Sequence, residues 1–159
     1  LAEDIRHLEN YIEIQRQRFG ARLDYRQCID EEAKNCLVPK LLLQPVVENA
    51  VHYGADAEGN IRICTHVSIA DDQLCIVIKD AGPGMGAETL CHLRTLMERR
   101  ENNSVHTGIY NIHRRIQLLY GSAYGVQIST PKGGGTLVEM VLPVKRGKGD
   151  EDDAAYSHR

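Results

Sequence analysis

Wound at about 100° per residue, the segment "LLLQPVVENAVHYG" (residues 41–54) gathers Gln44, Glu48, Asn49 and His52 on one narrow arc with Pro45. Leu42, Leu43, Val46, Val47, Ala50, Val51 and Tyr53 cover most of the remaining surface. A solvated helix face would more usually carry Lys, Arg and Glu, so carboxylate, amide and imidazole together suggest a lined site. An Asn oxygen suits a hard cation such as Mg²⁺, which keeps most of its waters and takes few protein ligands. His52 could donate to a phosphate, and Glu48 could hold a metal-bound water or orient a hydroxyl. The plain alternative is a core helix whose polar side faces solvent, and this segment alone does not choose.

Two further stretches carry chemistry. In "DAGPGM" (residues 80–85), Asp80 ends an apolar strand pattern, where an unpaired carboxylate is costly and needs a partner. A purine's exocyclic amine is a suitable donor, while Gly82 and Gly84 allow a sharp turn and close approach to a planar ligand. A tight turn with a capping Asp would read the same way. In "HTGIYNIHRRI" (residues 106–116), Gly108 precedes a helix whose N-terminal amides suit phosphate oxygens, and Asn111 and Arg115 share a face. An ordinary loop-to-helix junction with solvated arginines would also fit.

The elements that must bring these stretches together follow from periodicity and punctuation. Residues 1–19 read as a helix stopped by Gly20, and residues 23–29 as a short strand. A helix is expected from about Pro39 to Tyr53, with Pro45 kinking it or breaking its first turns. Ile61, Ile63, Thr65, Val67 and Ile69 alternate with polar residues, and "ADDQ" turns the chain into Leu74, Ile76 and Ile78, giving a hairpin. Helices over residues 88–100 and 109–120 and strands at "GVQIST" and "TLVEMVLP" complete the pattern. The order predicts an α/β, or α+β, two-layer sandwich: a mixed, mostly antiparallel sheet with helices on one face.

A 159-residue chain suffices for one domain with a proper core, and its net charge of −3 argues against a nucleic-acid partner. Cys28, Cys36, Cys64, Cys75 and Cys91 form no CxxC pair and read as reduced core residues of a cytoplasmic protein. No run is long enough to span a bilayer. Residues 145–159 are charged and glycine-containing, which predicts a disordered tail. His7, His66 and His113 read as surface histidines. A zinc site from Cys91, His92 and His106 matches no ligand spacing.

Taken in order, "LLLQPVVENAVHYG", "DAGPGM", "HTGIYNIHRRIQLLYG" and "GGGTLVEMVLP" resemble the N box, G1 box, G2 box and last strand of the ATP-binding domain of sensor histidine kinases, most closely the LytS-like group. The resemblance covers about residues 1–143, and "LENYIEIQRQRFGARLDY" resembles that group's linker from its phosphoacceptor helices. It implies the Bergerat ATP-binding fold. It implies a linker helix at residues 1–20, an ATP-binding catalytic domain at 21–144 and the tail beyond.

By the same resemblance the cofactors are ATP and Mg²⁺. Asn49 would coordinate the metal, Glu48 would organise it or its waters, and His52 would meet the phosphates, with Tyr53 beside it. Asp80 would accept from the adenine amine, with Gly82, Gly84 and Met85 shaping its pocket. Thr107, Gly108 and Ile109 would bring backbone to the phosphates, Thr136 would lie near the adenine, and residues 88–106 would form a lid. The implied partners are an upstream dimerisation and phosphoacceptor domain and, indirectly, a response regulator. The whole protein would be a homodimer, membrane-anchored through segments outside this chain.

This sequence departs from the pattern in two places. His106 stands where the G2 box has its first glycine, and Tyr110 offsets the residue before Asn111. Pro45 stands where hydrolytic relatives keep a water-activating Glu, which fits transfer to another group and not to water. The other readings are a degenerate nucleotide-binding regulator and a serine kinase of the anti-sigma-factor type.

Overall fold

The computed structural model describes residues 1–98 and 107–147. Helix α1 (Ala2–Phe19) leads to strand β1 (Leu23–Ile29) and helix α2 (Gln44–Tyr53). The hairpin β2 (Ile61–Ala70) and β3 (Gln73–Asp80) follows, then α3 (Ala87–Glu98), α4 (Thr107–Tyr120), β4 (Gly125–Ser129) and β5 (Leu137–Pro143). The sheet order is β1-β2-β3-β5-β4, with β1 parallel to β2 and the other pairs antiparallel. This is the expected mixed, mostly antiparallel sheet.

Period-2 patterning gives the sheet its two faces. Ile61, Ile63, Thr65 and Val67 of β2 are buried under helices, and Arg62, Cys64 and His66 are exposed on the open face. Only Cys36 of the five thiols is buried, since Cys28 and Cys64 lie on exposed strand positions. The cysteines are therefore mostly not core residues.

Three boundaries differ from expectation. Helix α2 begins at Gln44, so Pro45 occupies its first turn, where a missing N–H costs little, and no kink results. Helix α1 does not stand apart as a linker: Ile5, Leu8 and Ile12 form an apolar stripe that needs burial, and they join the same core as the sheet. The expected tail starts late. Leu37 N–H donates to the Lys145 carbonyl at 2.7 Å and Cys36 bridges Arg146, while residues 148–159 lie outside the described residues.

His113 is buried, contrary to its surface reading. Strand β4 has an unpaired outer edge, and its orphan groups recruit side chains. His113 Nδ1 accepts from Val126 N–H at 3.0 Å, and Arg94 donates to the Ile128 carbonyl at 2.9 Å from Nη2. Burial pushes the His113 imidazole below its ordinary value of 6.5. A base depressed in the folded state is neutral in both states above pH 6.5 and takes its proton first in the unfolded chain as pH falls. Stability should therefore drop as pH descends through that value. In His113→Asn, whose Oδ1 takes the position of Nδ1 and can still accept from Val126, that part of the drop should vanish in thermal melts between pH 8 and 5. An unchanged pH slope would count against the assignment.

Candidate nucleotide site

Strand β3 ends by delivering Asp80 to the helical layer, only 7% exposed. Its Oδ1 accepts from Gly82 N–H at 2.9 Å and Thr136 N–H at 3.0 Å, while Thr136 O accepts from Asp80 N–H at 3.0 Å. Oδ2 has no hydrogen bond among the described residues. Backbone amides thus answer half of the need for a partner, and one carboxylate oxygen stays available.

Close backbone contacts hold this carboxylate. A Cβ on Gly82 would stand 2.6 Å from Gly54 Cα, and one on Gly54 would stand 2.9 Å from Asp80 Cβ. Gly84, at φ +76°, packs so tightly that a Cβ would meet Thr130 Cγ2 at 2.6 Å. Thr130 Oγ1 accepts from Met85 N–H at 3.0 Å and donates to Met85 O at 3.2 Å. Gly54, Thr130 and Gly135 thus join the expected Gly82, Gly84 and Met85 around this carboxylate. The glycine run at residues 133–135 was the available sequence signal for Gly135.

On α2, Gln44 Nε2 donates to Glu48 Oε1 at 2.8 Å and His52 Nδ1 donates back to the Glu48 carbonyl at 3.0 Å. His52 is exposed, and its Nε2 has no hydrogen bond among the described residues. Tyr53, placed on the apolar side by periodicity, is 77% exposed, because it sits in the last turn where α2 leaves the core. On α4, a Cβ at Gly108 would lie 3.7 Å from Pro45 Cβ and 3.8 Å from Asn49 Nδ2. Packing therefore tolerates a side chain there, and the first and third motifs adjoin.

Asn49, Tyr53, Asp80, Met85, Ile109 and Thr136 line one cavity, with aliphatic walls from Val46, Ala50, Ile78 and Val138. Its volume is about 30 Å³, room for a water and not a base. Glu48, His52 and Gly108 lie beside it and do not line it. A larger cavity of about 450 Å³ lies at the β4 edge beside Arg94 and His113, where neither Asp80 nor Asn49 reaches. The small cavity, which joins separate motifs, is the better candidate. The second part of the expected lid, residues 99–106 with His106, lies outside the described residues, as does the side chain of Thr107, while residues 88–98 belong to α3. Among the described residues no group of three or more His, Cys, Asp or Glu is placed to hold a metal.

Residues 38–146 match the family model of the histidine kinase-, DNA gyrase B- and HSP90-like ATPases. The chain belongs to this family. This ATPase domain is 35% identical over 147 residues to the sensor histidine kinase YesM of Bacillus subtilis, covering 91% of this chain and 23% of YesM. It is 29% identical over 150 residues to the sensor protein kinase HptS of Staphylococcus aureus, covering 94% of this chain and 29% of HptS. The chain thus spans about a quarter of the length of these curated relatives. Among solved structures, a nucleotide-free catalytic domain of the histidine kinase ThkA superposes with a TM-score of 0.68 at 14% identity, covering 91% of this chain and 94% of that one. The mycobacterial sensor histidine kinase MprB gives 0.55 at 21%, covering 88% and 93%. The two-layer α/β architecture is the Bergerat fold of this ATPase family, as the resemblance implied.

Proposed function

We propose that this chain is the ATP-binding catalytic part of a sensor histidine kinase, which hands the γ-phosphoryl group of Mg-ATP to a histidine outside residues 1–159. The observation that carries this reading is that Asp80, whose Oδ2 has no hydrogen bond among the described residues, lines the same cavity as Asn49. A carboxylate oxygen among aliphatic walls suits a flat base that offers an amine. The cavity must open for it, and unbranched Met85, with three rotatable bonds, is the wall with most freedom to swing. Asp80 would orient the adenine, with Thr136 beside it.

Asn49 fits a hard cation: it offers one neutral oxygen, and the adjacent Gly108 leaves room for phosphate oxygens beside it. It would hold Mg²⁺, which when bound neutralises phosphate charge. Glu48, already oriented by Gln44, would position a metal-bound water, and His52 would meet the phosphates. The α4 N-terminus, with Thr107, Gly108 and Ile109, would supply amides and a favourable dipole. Pro45 leaves no base to activate water, so transfer to an accepting side chain is favoured. His7, exposed on α1 and 3.7 Å from Glu3, keeps its surface reading and is not our acceptor. We place the acceptor in an upstream dimerisation domain of a homodimeric, membrane-anchored sensor whose cytoplasmic part includes this chain, with a response regulator downstream.

The test is to mix the chain with γ-labelled Mg-ATP and the separately produced histidine-bearing domain of the same protein. Acid-labile label should appear on that domain; none, despite tight nucleotide binding, would support a purely regulatory module instead. Asn49→Ala should abolish the Mg²⁺-dependent gain in ATP-analogue affinity, about 1–3 kcal/mol, and cost adenosine, whose cavity Asn49 also lines, clearly less. Calorimetry with and without Mg²⁺ reads both, and a retained gain would assign the metal elsewhere.

A further inference from the structure

Helix α2 carries Glu48 and Asn49, yet its own sequence does little to fix where it starts. Its N-cap, Leu43, has no capping side chain, and Pro45 removes a donor from the first turn. The chain enters through Leu41 at φ +56°, an uncomfortable angle for leucine. The holding contact comes from α1. Asp4, 5% exposed, accepts from Leu42 N–H at 3.1 Å on Oδ1 and 3.0 Å on Oδ2. Its Oδ2 also accepts from Leu43 N–H at 2.8 Å. Leu42 and Leu43 are fully buried, so water is no substitute, and the carboxylate sits where the α2 dipole is positive. Further along α1, Leu8 and Ile12 are buried, and burial followed by the Glu48 charge pushes the Tyr11 phenol up. The two helices therefore meet at both the start and the middle of α2.

We propose that Asp4 is a positioning residue of the ATP site: its carboxylate, supplied by α1, sets the place of α2 along its axis and so the place of Asn49 and Glu48. This inference rests on the ATP reading above. Asp80 hangs from β3 and not from the clamp, although α2 also walls its cavity through Val46 and Ala50, so the purine contact depends on α2 less than the metal-phosphate contacts do. Slippage of α2 should damage the metal-phosphate contacts well beyond the purine contact.

The test compares wild type with Asp4→Asn, which keeps the shape but turns an NH₂ toward a buried N–H. Binding of adenosine and of a non-hydrolysable ATP analogue with Mg²⁺ is measured well below each melting temperature. Asp4→Asn should weaken Mg-analogue affinity by about tenfold and adenosine affinity by no more than about twofold. Val126→Ala, a β4 control that also lowers the melting temperature, should change neither. Equal Mg-analogue affinity in Asp4→Asn, or a parallel loss for both ligands, would make Asp4 merely structural and overturn the proposal. If Asp4→Asn does not fold, Asp4→Glu keeps the charge one methylene away and should show the same selective loss, smaller in size. Wild-type Mg-analogue affinity there would also overturn it. A wild-type chain that binds neither ligand would sink the ATP reading, and this inference with it.

Discussion

Asp80→Asn is expected to weaken binding of an ATP analogue by about 1–3 kcal/mol, roughly five- to 150-fold, with no loss of fold. The two carboxylate oxygens do different work. Oδ1 accepts from Gly82 and Thr136, and an Asn side chain can place its carbonyl oxygen there and keep both bonds. Oδ2, free among the described residues, becomes an NH₂ group that faces the exocyclic amine of adenine donor to donor. The stabilising half of the residue survives and the recognising half inverts. A nucleotide with a carbonyl at that ring position should lose less, since the new amide can donate to it. Calorimetry on both proteins with adenine and hypoxanthine nucleotides reads the difference. Equal adenine affinity would mean that the purine does not meet this residue. Asp80→Ala is the contrasting variant, because it strands two amides and should cost stability as well.

Some of this arrangement was legible in the chain and some was not, for physical reasons. The polar arc of α2 showed because an amphipathic helix writes its two environments at a fixed angular period, and Asp80 showed because a carboxylate closing an apolar strand demands partners. Those partners did not show: Thr136 donates from 56 positions away, a pairing that only the β3–β5 register creates. The start of α2 was misjudged because Pro39 and Pro45 both suit a helix start, and the deciding group, Asp4, lies on another helix. His113 escaped for the same reason, since nothing near it in sequence reveals that a β4 edge amide needs an acceptor. Tyr53 shows the converse limit: angular position predicts a side, but a last-turn residue can run past the core that side faces. Local pattern reports environment, and partners across the sheet follow only from topology.

The glycine that none of this flagged should carry the largest stability effect. Gly135→Ala is expected to destabilise the domain by about 3 kcal/mol or more, lowering the melting temperature by roughly 10 °C. Two costs combine. Gly135 sits at φ +80°, where a Cβ is strained whatever the space, and that Cβ would lie 2.2 Å from the Asp80 carbonyl oxygen. The obstacle is backbone and cannot rotate away. Relief requires β3 and the 133–135 turn to part, yet Gly135 N–H donates to Gly82 O at 2.7 Å and Thr136 N–H holds Asp80 Oδ1 at 3.0 Å. Separation therefore disturbs the turn that bears the carboxylate, and nucleotide affinity should fall together with stability. Gly133→Ala is the control, because a Cβ there meets nothing within 4 Å and no left-handed angle is required. If Gly135→Ala melts and binds like Gly133→Ala, the contact between this turn and Asp80 is not what holds the site in shape.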